Sequence, residues 1–166
     1  MYSSRGVPVA TTKKQTVPFI VSGEGTGVLQ RITVGGDGTA HRFATDTVPP
    51  FGGQDSEPSP LSLTLGALAG CNQITAQIVA KELGVTLGRF TFDVVGDFDP
   101  SVMAGGAEGD ANFDAVHVQA TVESDADEAT FERLRSETER RCPVTQLFVR
   151  SGLEFDSEWT AAPLAG

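Results

Sequence analysis

The segment Ser59–Gly84, SPLSLTLGALAGCNQITAQIVAKELG, predicts a long helix around which the rest of this chain is arranged. Ser59 is suited to cap the start of a helix, and Pro60 suits its first turn, where a missing N–H removes no hydrogen bond. Gly84 is suited to end the helix just after Leu83. Because the first half of the segment carries no charge on any side, we expect this helix to be buried all round.

Small residues lie close together near the middle of this predicted helix. Gly66 and Gly70 are one helical turn apart, with Ala67 and Ala69 beside them. A patch without large side chains lets another backbone approach closely. We therefore expect a second helix to pack there.

Alternating apolar and polar residues predict strands on both sides of this helix. The expected strands cover residues 17–22, 27–34, 39–45, 89–98, 113–124 and 153–159. The Gly-Gly-Asp-Gly sequence at 35–38 predicts a hairpin turn. A second helix is expected over 125–142, capped by Ser124 or Asp125, and a flexible loop over 99–112. This order of elements predicts an α+β fold, with antiparallel sheets packed on the helices.

The composition narrows the class of protein. The chain has 166 residues, 39% of them hydrophobic, and a net charge of −10. We expect one domain over residues 16–166, preceded by a flexible arm over residues 1–15. The negative charge argues against binding to nucleic acid or to anionic membranes. No segment matches the ~20 predominantly apolar residues of a membrane span, and the first residues lack the apolar core of a signal peptide, so we expect a cytoplasmic protein.

The sequence gives little support to a metal or an organic cofactor. His41 and His117 are the only histidines, and both follow the alternation of strands. No CxxC or HxxxH spacing, no GxGxxG after a strand and no P-loop is present. We therefore expect no cofactor.

Cys71 lies inside the apolar helix and is a candidate nucleophile. Burial there raises the pKa of a thiol, and the helix N-terminus is too far away to lower it. A reactive Cys71 therefore needs a cation from elsewhere, and Arg is suited because it stays protonated when partly buried. Arg31 and Arg42 are the candidates on strands, ahead of Arg89 and Arg150.

Cys142 is the second candidate thiol, and its setting differs. It ends the second predicted helix, where the dipole disfavours a thiolate, although Arg140 and Arg141 can offset this. Pro143 is expected to stop the helix there. A less activated thiol suits a resolving cysteine, which attacks a sulfenic acid to form a disulfide. The residues alone leave open the alternative that both cysteines are small buried hydrophobes.

Two sets of motifs resemble the OsmC/Ohr family, the osmotically inducible protein C and organic hydroperoxide resistance proteins. The first set precedes and includes Cys71, and the second begins at Cys142. The matching segments are DTVPPFGG at 46–53, PSPL at 58–61, LGALAGC at 65–71 and CPVT at 142–145. Their order and spacing agree from about residue 16 to residue 160.

The resemblance implies an OsmC-like α+β fold and an intertwined homodimer, with two central helices at its core and active sites at the subunit interface. It implies reduction of organic hydroperoxides, and of hydrogen peroxide less well. Cys71 corresponds to the cysteine that attacks the peroxide, and Cys142 to the one that resolves the sulfenic acid. A strand arginine activates the first thiol, and lipoylated proteins or small dithiols reduce the disulfide.

This chain departs from the family pattern at Ser62. The family has a glutamate there that holds the activating arginine, and serine cannot form a charge-assisted pair with Arg. Glu57, just before the helix, is a possible substitute. Of the two arginines, Arg42 is ahead of Arg31 because its strand leads into the loop at 46–53. The sequence therefore favours a thiol peroxidase, with a dimeric stress-related or small-ligand-binding protein of little turnover as the alternative.

Overall fold

The computed structural model describes residues 16–35 and 40–165. The expected arm over residues 1–15 lies outside the described residues. The elements, in chain order, are β1 (Val21–Thr26), β2 (Leu29–Val34), β3 (His41–Thr45), α1 (Pro60–Leu83), β4 (Leu87–Phe98), α2 (Ser101–Gly105), β5 (Phe113–Ser124), α3 (Glu128–Arg141), α4 (Pro143–Arg150) and β6 (Glu154–Ala162). The predicted α+β class is confirmed.

The six strands form two sheets of three. In the first sheet β2 lies between β1 and β3, and both neighbours are antiparallel to it. In the second sheet β5 lies between β4 and β6, and β6 runs parallel to β5. The expectation of purely antiparallel sheets is therefore wrong for β6. The chain between β5 and β6 passes through α3 and α4. This helical connection returns it to the end of the sheet at which β5 begins, so β6 runs in the same direction as β5.

The local signals around α1 act as predicted. Ser59 is extended and its side chain accepts a hydrogen bond from the N–H of Ser62 at 3.1 Å, while Gly84 ends the helix with φ = 71°. The helix covers Pro60–Leu83, which confirms both expected bounds.

The first strand lies further along the chain than expected. It covers Val21–Thr26 and not residues 17–22, and it turns into β2 at Gly27, where φ is 66°. Gly23 and Gly25 belong to the strand, although they suggest a turn in the sequence. Each faces the side chain of Gln30 on β2, which leaves no room for a Cβ atom. The tip of the next hairpin, residues 36–39, lies outside the described residues.

The region after β5 contains one helix more than expected. The predicted helix over 125–142 begins instead at Glu128, where Asp127 caps it by accepting from the N–H of Thr130 at 2.8 Å. Neither Ser124 nor Asp125 is the cap. Pro143 stops α3 and also begins α4, which the sequence reading missed. The predicted loop at 99–112 contains the short helix α2.

One face of α1 packs into the core of the chain. Val79 and Ala80 lie against β5 and α3, and Leu68 packs against β5 and α4. The other residues of these two core clusters are Phe113, Val116, Val118, Ala120, Val122, Phe131, Leu134 and Phe148. Burying a Leu or Val side chain contributes about 1.5–3 kcal/mol. The second sheet, α1, α3 and α4 thus form one packed unit.

The opposite face of α1 is not covered by any of the residues that the structure describes, so the expectation of burial all round is wrong for this part of one chain. Ile74 and Ile78 are 65% and 50% exposed. Gly66 and Gly70 are exposed as well, and a Cβ atom on either would meet no atom beyond its own helix within 4 Å. Within residues 16–35 and 40–165, the apolar side chains of this face therefore have no partner.

By length and composition alone, α1 also meets the criterion for a membrane-spanning helix, contrary to the sequence expectation. The core helix of a soluble protein meets the same criterion. Its packed face buries the polar residues Asn72 and Thr75.

Candidate active site

Cys71 lies in the middle of α1, at the border between the packed and the exposed face. Its side chain is partly exposed, and its thiol is free. Asn72 and Thr75, which follow it on the packed face, are 2% and 7% exposed. The helix therefore holds the Cys71 thiol at the edge of the core, where a solvent molecule or a small substrate can reach it.

Cys142 lies at the junction of α3 and α4 and is completely buried. Its own N–H bonds to the carbonyl of Thr138 at 2.8 Å, which closes α3. Its Sγ accepts a hydrogen bond from the N–H of Thr145 at 3.4 Å, so the same residue caps α4. The sequence placed Cys142 only at the negative end of a helix. The structure shows that it also lies at the start of a second helix, where its sulfur accepts a backbone N–H.

Pro143 is the sequence feature that could have indicated α4. Proline is common in the first turn of a helix as well as after its end, and here it does both. Arg140 and Arg141, which were expected to offset the dipole at Cys142, form ion pairs with Glu137 and Glu82 instead.

The two thiols meet at the first turn of α4. Burial raises the pKa of Cys71, and the adjoining Cys142 thiol raises it further. The backbone N–H of Val144 and the hydroxyl of Thr75, which lie near the Cys71 sulfur, act on its pKa in the opposite direction. The N–H of Val144 thus lies near the Cys71 thiol, while that of Thr145 donates to the Cys142 sulfur. Because burial is the largest effect, Cys71 in the single chain favours the protonated form.

Arg31 and Arg42 lie together on one face of the first sheet. Arg42 pairs with Thr33 and Arg31 pairs with Ala44 across β2 and β3, and directly paired residues share a face. Both line a cavity of about 610 Å³. Among the described residues, the groups that act on the Cys71 pKa include neither arginine. A single chain therefore brings the two arginines to each other but not to the thiol.

Two carboxylates share the cavity with the arginines. Glu57, which the sequence suggested as a possible arginine partner, lines it. Glu24 lines it too, and pairs directly with Arg31 across β1 and β2. Glu24 could not be predicted from the sequence as a residue of this cavity, because the glycine-rich segment around it does not indicate how β1 pairs with β2.

Asp46 holds the loop that carries Glu57. One of its carboxylate oxygens accepts from the N–H of Gln54 and of Ser56, both at 3.1 Å, and from the Ser56 hydroxyl at 2.8 Å. The N–H of Ser56, followed by that of Thr47 and by the Ser56 hydroxyl, lowers the pKa of Asp46 to about 2. The loop folds back on itself through this buried carboxylate, which explains the close approach of Gly53 to Thr47.

Ser62 does not take part in this cavity. Its hydroxyl lies 2.9 Å from that of Ser59, at the start of α1. The position where the resembling family carries a glutamate is thus used for helix capping.

An apolar cavity of about 360 Å³ lies beside the first turn of α4. It reaches Val144, whose backbone N–H is one of the groups that act on the pKa of Cys71. Its main lining residues are Leu61, Phe98, Phe113, Val144, Leu147 and Phe148. Among the described residues, no group of three or more His, Cys, Asp or Glu side chains could hold a metal ion.

Comparison with known proteins gives one family and one fold. The family described as OsmC-like protein matches residues 53–158, which includes both cysteines. No curated protein matches the chain.

Three solved structures illustrate the shared fold. The OsmC-like protein from Mycoplasma pneumoniae superposes with a TM-score of 0.70 at 15% identity, over 89% of this chain and 99% of that one. An organic hydroperoxide resistance protein OsmC from Legionella pneumophila gives 0.67 at 16% identity, over 89% and 99%. The organic hydroperoxide resistance protein OhrB of Bacillus subtilis gives 0.56 at 18% identity, over 87% and 98%. At these identities the likeness shows the fold alone.

Proposed function

Since the chain belongs to the OsmC-like protein family, we propose that it is a thiol-dependent peroxidase that reduces organic hydroperoxides, and hydrogen peroxide less well. The observation that carries the proposal is that the Cys142 thiol lies near enough to Cys71 to raise its pKa, at the first turn of α4. Two structural neighbours are named as organic hydroperoxide resistance proteins, which agrees with this role.

The reaction uses the two thiols in sequence. The Cys71 thiolate attacks one peroxide oxygen, the O–O bond breaks, and the other oxygen leaves as an alcohol after taking up a proton. The resulting sulfenic acid on Cys71 is attacked by the Cys142 sulfur. An S–S bond forms and water leaves with the Cys142 proton. A small dithiol or a lipoylated protein then reduces the disulfide and is itself oxidised.

Activation of Cys71 needs a positive charge, because burial favours its protonated form. We assign this role to Arg42, with Arg31 as the second candidate, and the carboxylate that orients it to Glu57. In the proposed homodimer the arginine comes from the other subunit. Two observations support a dimer. The described residues leave the apolar face of α1 uncovered, and Phe19 just before β1 and Val21 at its start are 94% and 61% exposed.

The dimer can be tested at the small-residue patch of α1. Gly70→Leu adds a side chain whose Cβ position has no atom within 4 Å among the described residues outside its own helix. We expect this variant to fold but to dissociate at concentrations where the wild type is dimeric, as measured by light scattering. Ala104→Leu, in the short helix α2, is the control for an added exposed leucine. Equal dimer stability of Gly70→Leu and the wild type would contradict the proposed packing of the two central helices.

The peroxidase proposal is tested on the wild-type protein by mass spectrometry. Reduced protein treated with cumene hydroperoxide should lose the mass of two hydrogen atoms, and dithiothreitol should restore it. The same peroxide should be consumed continuously when the dithiol is in excess. Protein that keeps its full reduced mass after treatment would rule the proposal out.

A second candidate function is the binding of a small apolar ligand by a dimeric stress-related protein with little turnover. The apolar cavity beside Val144 favours it, and so does Ser62 in place of the family glutamate. Absence of the disulfide after peroxide treatment, together with saturable binding of an apolar fluorophore, would select this function instead.

The remaining assignments follow from the charge and from the reaction. We place the protein in the cytoplasm, where thiol reductants are available. The chemistry proposed for the two cysteines requires no metal or organic cofactor. With a net charge of −10, neither nucleic acid nor an anionic membrane surface is proposed as a partner.

A further inference from the structure

A buried hydrogen bond joins the two elements that carry the cysteines. The hydroxyl of Thr145 on α4 donates to the amide oxygen of Asn72 on α1 at 3.1 Å. The two residues are 1% and 2% exposed. Polar side chains are seldom buried to this degree, because each must give up its bonds to water.

Each member of this pair is tied to one of the thiols. Asn72 directly follows Cys71 on α1. The backbone N–H of Thr145 donates to the Cys142 sulfur at 3.4 Å. The Asn72–Thr145 bond therefore connects the backbone beside Cys71 with the residue whose N–H holds the Cys142 sulfur.

An apolar pair at positions 72 and 145 would also fill the space, but it would not fix one arrangement of α4 relative to α1. Apolar contacts are not directional, so α4 could slide or rotate against α1 at little cost. A buried hydrogen bond has a defined length and angle, and separating its partners leaves both of them unsatisfied. Its presence beside the thiols sets the position of α4 relative to Cys71.

We propose that Asn72 and Thr145 are positioning residues that hold Cys142 against Cys71 for disulfide formation. The proposal rests on the proposed function for its catalytic meaning, since the step concerned is the attack of Cys142 on the Cys71 sulfenic acid. Neither residue touches the peroxide. Both act by placing one sulfur within reach of the other, which raises the effective concentration of Cys142 at Cys71.

The test measures disulfide formation without any peroxide. Reduced wild-type protein and Thr145→Val are equilibrated with mixtures of reduced and oxidised dithiothreitol, and the fraction of Cys71–Cys142 disulfide is determined by mass. Valine keeps the shape of threonine and leaves the backbone N–H in place. We expect the equilibrium constant for the disulfide to fall about tenfold, and Thr145→Ser, which keeps the hydroxyl, to restore it.

Thr138→Val is the matched control. It removes another completely buried threonine hydroxyl, but that hydroxyl bonds to the Leu134 carbonyl within α3. We expect the disulfide equilibrium of this variant to match the wild type. If Thr138→Val lowers it as much as Thr145→Val does, the effect is general stability and the proposal is overturned.

A second measurement separates the two chemical steps. After one equivalent of cumene hydroperoxide, Thr145→Val should oxidise Cys71 at the wild-type rate but accumulate the sulfenic acid, trapped with dimedone. Unchanged disulfide formation in both measurements overturns the proposal. If Thr145→Val does not fold, the disulfide equilibrium and the trapping of the sulfenic acid are measured on Asn72→Ala instead. A wild type inert to peroxide, with the shifted dithiothreitol equilibrium intact, would end the peroxidase proposal but leave the positioning role standing.

Discussion

Replacement of Cys71 by Ser should reduce the consumption of cumene hydroperoxide to the rate of the uncatalysed reaction. A serine hydroxyl is not ionised near neutral pH and cannot form a sulfenic acid, so the first step of the proposed reaction is lost. We expect a decrease of at least about a thousandfold, comparable to the loss of a nucleophile in other enzymes. The measurement is peroxide consumption with excess dithiothreitol.

Cys142→Ser is the matched control, because it makes the same substitution at the other thiol. This variant should still oxidise Cys71 once per subunit but should form no intramolecular disulfide. Its sulfenic acid should persist long enough to be trapped with dimedone. If Cys71→Ser consumes peroxide as fast as the wild type, the proposed chemistry is wrong. If Cys142→Ser also forms an intramolecular disulfide, the assignment of the resolving thiol is wrong.

Loss of the activating arginine should have the second largest effect. For an ordinary cysteine, a cation that lowers the pKa from ~8.5 to ~6 raises the thiolate fraction at pH 7 about thirtyfold. We therefore expect the hydroperoxide to oxidise Cys71 about thirtyfold more slowly in Arg42→Ala than in the wild type at pH 7. In this variant the pKa of Cys71 is higher than in the wild type. The difference between the two oxidation rates should therefore shrink as the pH rises toward 9. Arg31→Ala is the alternative assignment, and Arg89→Ala on β4 is the control for a lost exposed charge.

Mixed dimers show which subunit supplies the arginine. Inactive Cys71→Ser subunits and slow Arg42→Ala subunits are mixed and allowed to exchange. If the arginine acts across the interface, half of the dimers are mixed and each has one complete site, so about a quarter of the wild-type rate should return. If the mixture is no faster than its components, Arg42 acts within its own subunit or not at all. The same mixture with Arg31→Ala distinguishes the two arginines.

The parts of the fold that could be predicted are those with local signals. The helix at Pro60–Leu83 has a capping serine, a proline in its first turn and a terminal glycine, all within the segment itself. The strand at Phe113–Ser124 is confirmed at both ends because its apolar face alternates without interruption. The position of Cys71 within a helix follows from such signals.

The parts that failed depend on contacts between distant segments. Pro143 alone does not say whether it ends one helix or begins the next, since both are typical of proline. Thr145 and Asn72 are 73 positions apart, so their hydrogen bond has no trace in the local pattern. The parallel pairing of β6 also depends on how α3 and α4 pack. These contacts are set by the whole core and not by any one segment.

The uncovered face of α1 was missed for a different reason. An apolar helix side predicts burial but does not say which molecule covers it. Ile74 and Ile78 are as apolar as the residues of the packed face, yet they remain exposed in one chain. In the proposed dimer a second subunit covers these residues, which a single subunit leaves exposed.

The placement of Cys142 at the start of α4 also decides which sulfur of the proposed disulfide a reductant meets. Of the two sulfurs, that of Cys71 is partly exposed and that of Cys142 is completely buried. In the proposed cycle we therefore expect the incoming thiol to attack Cys71 and to form its mixed disulfide there, with Cys142 as the leaving group. The N–H of Thr145, which donates to the Cys142 sulfur at 3.4 Å, lies beside that sulfur as it departs. The first turn of α4 thus takes part in both halves of the proposed cycle, oxidation and recycling.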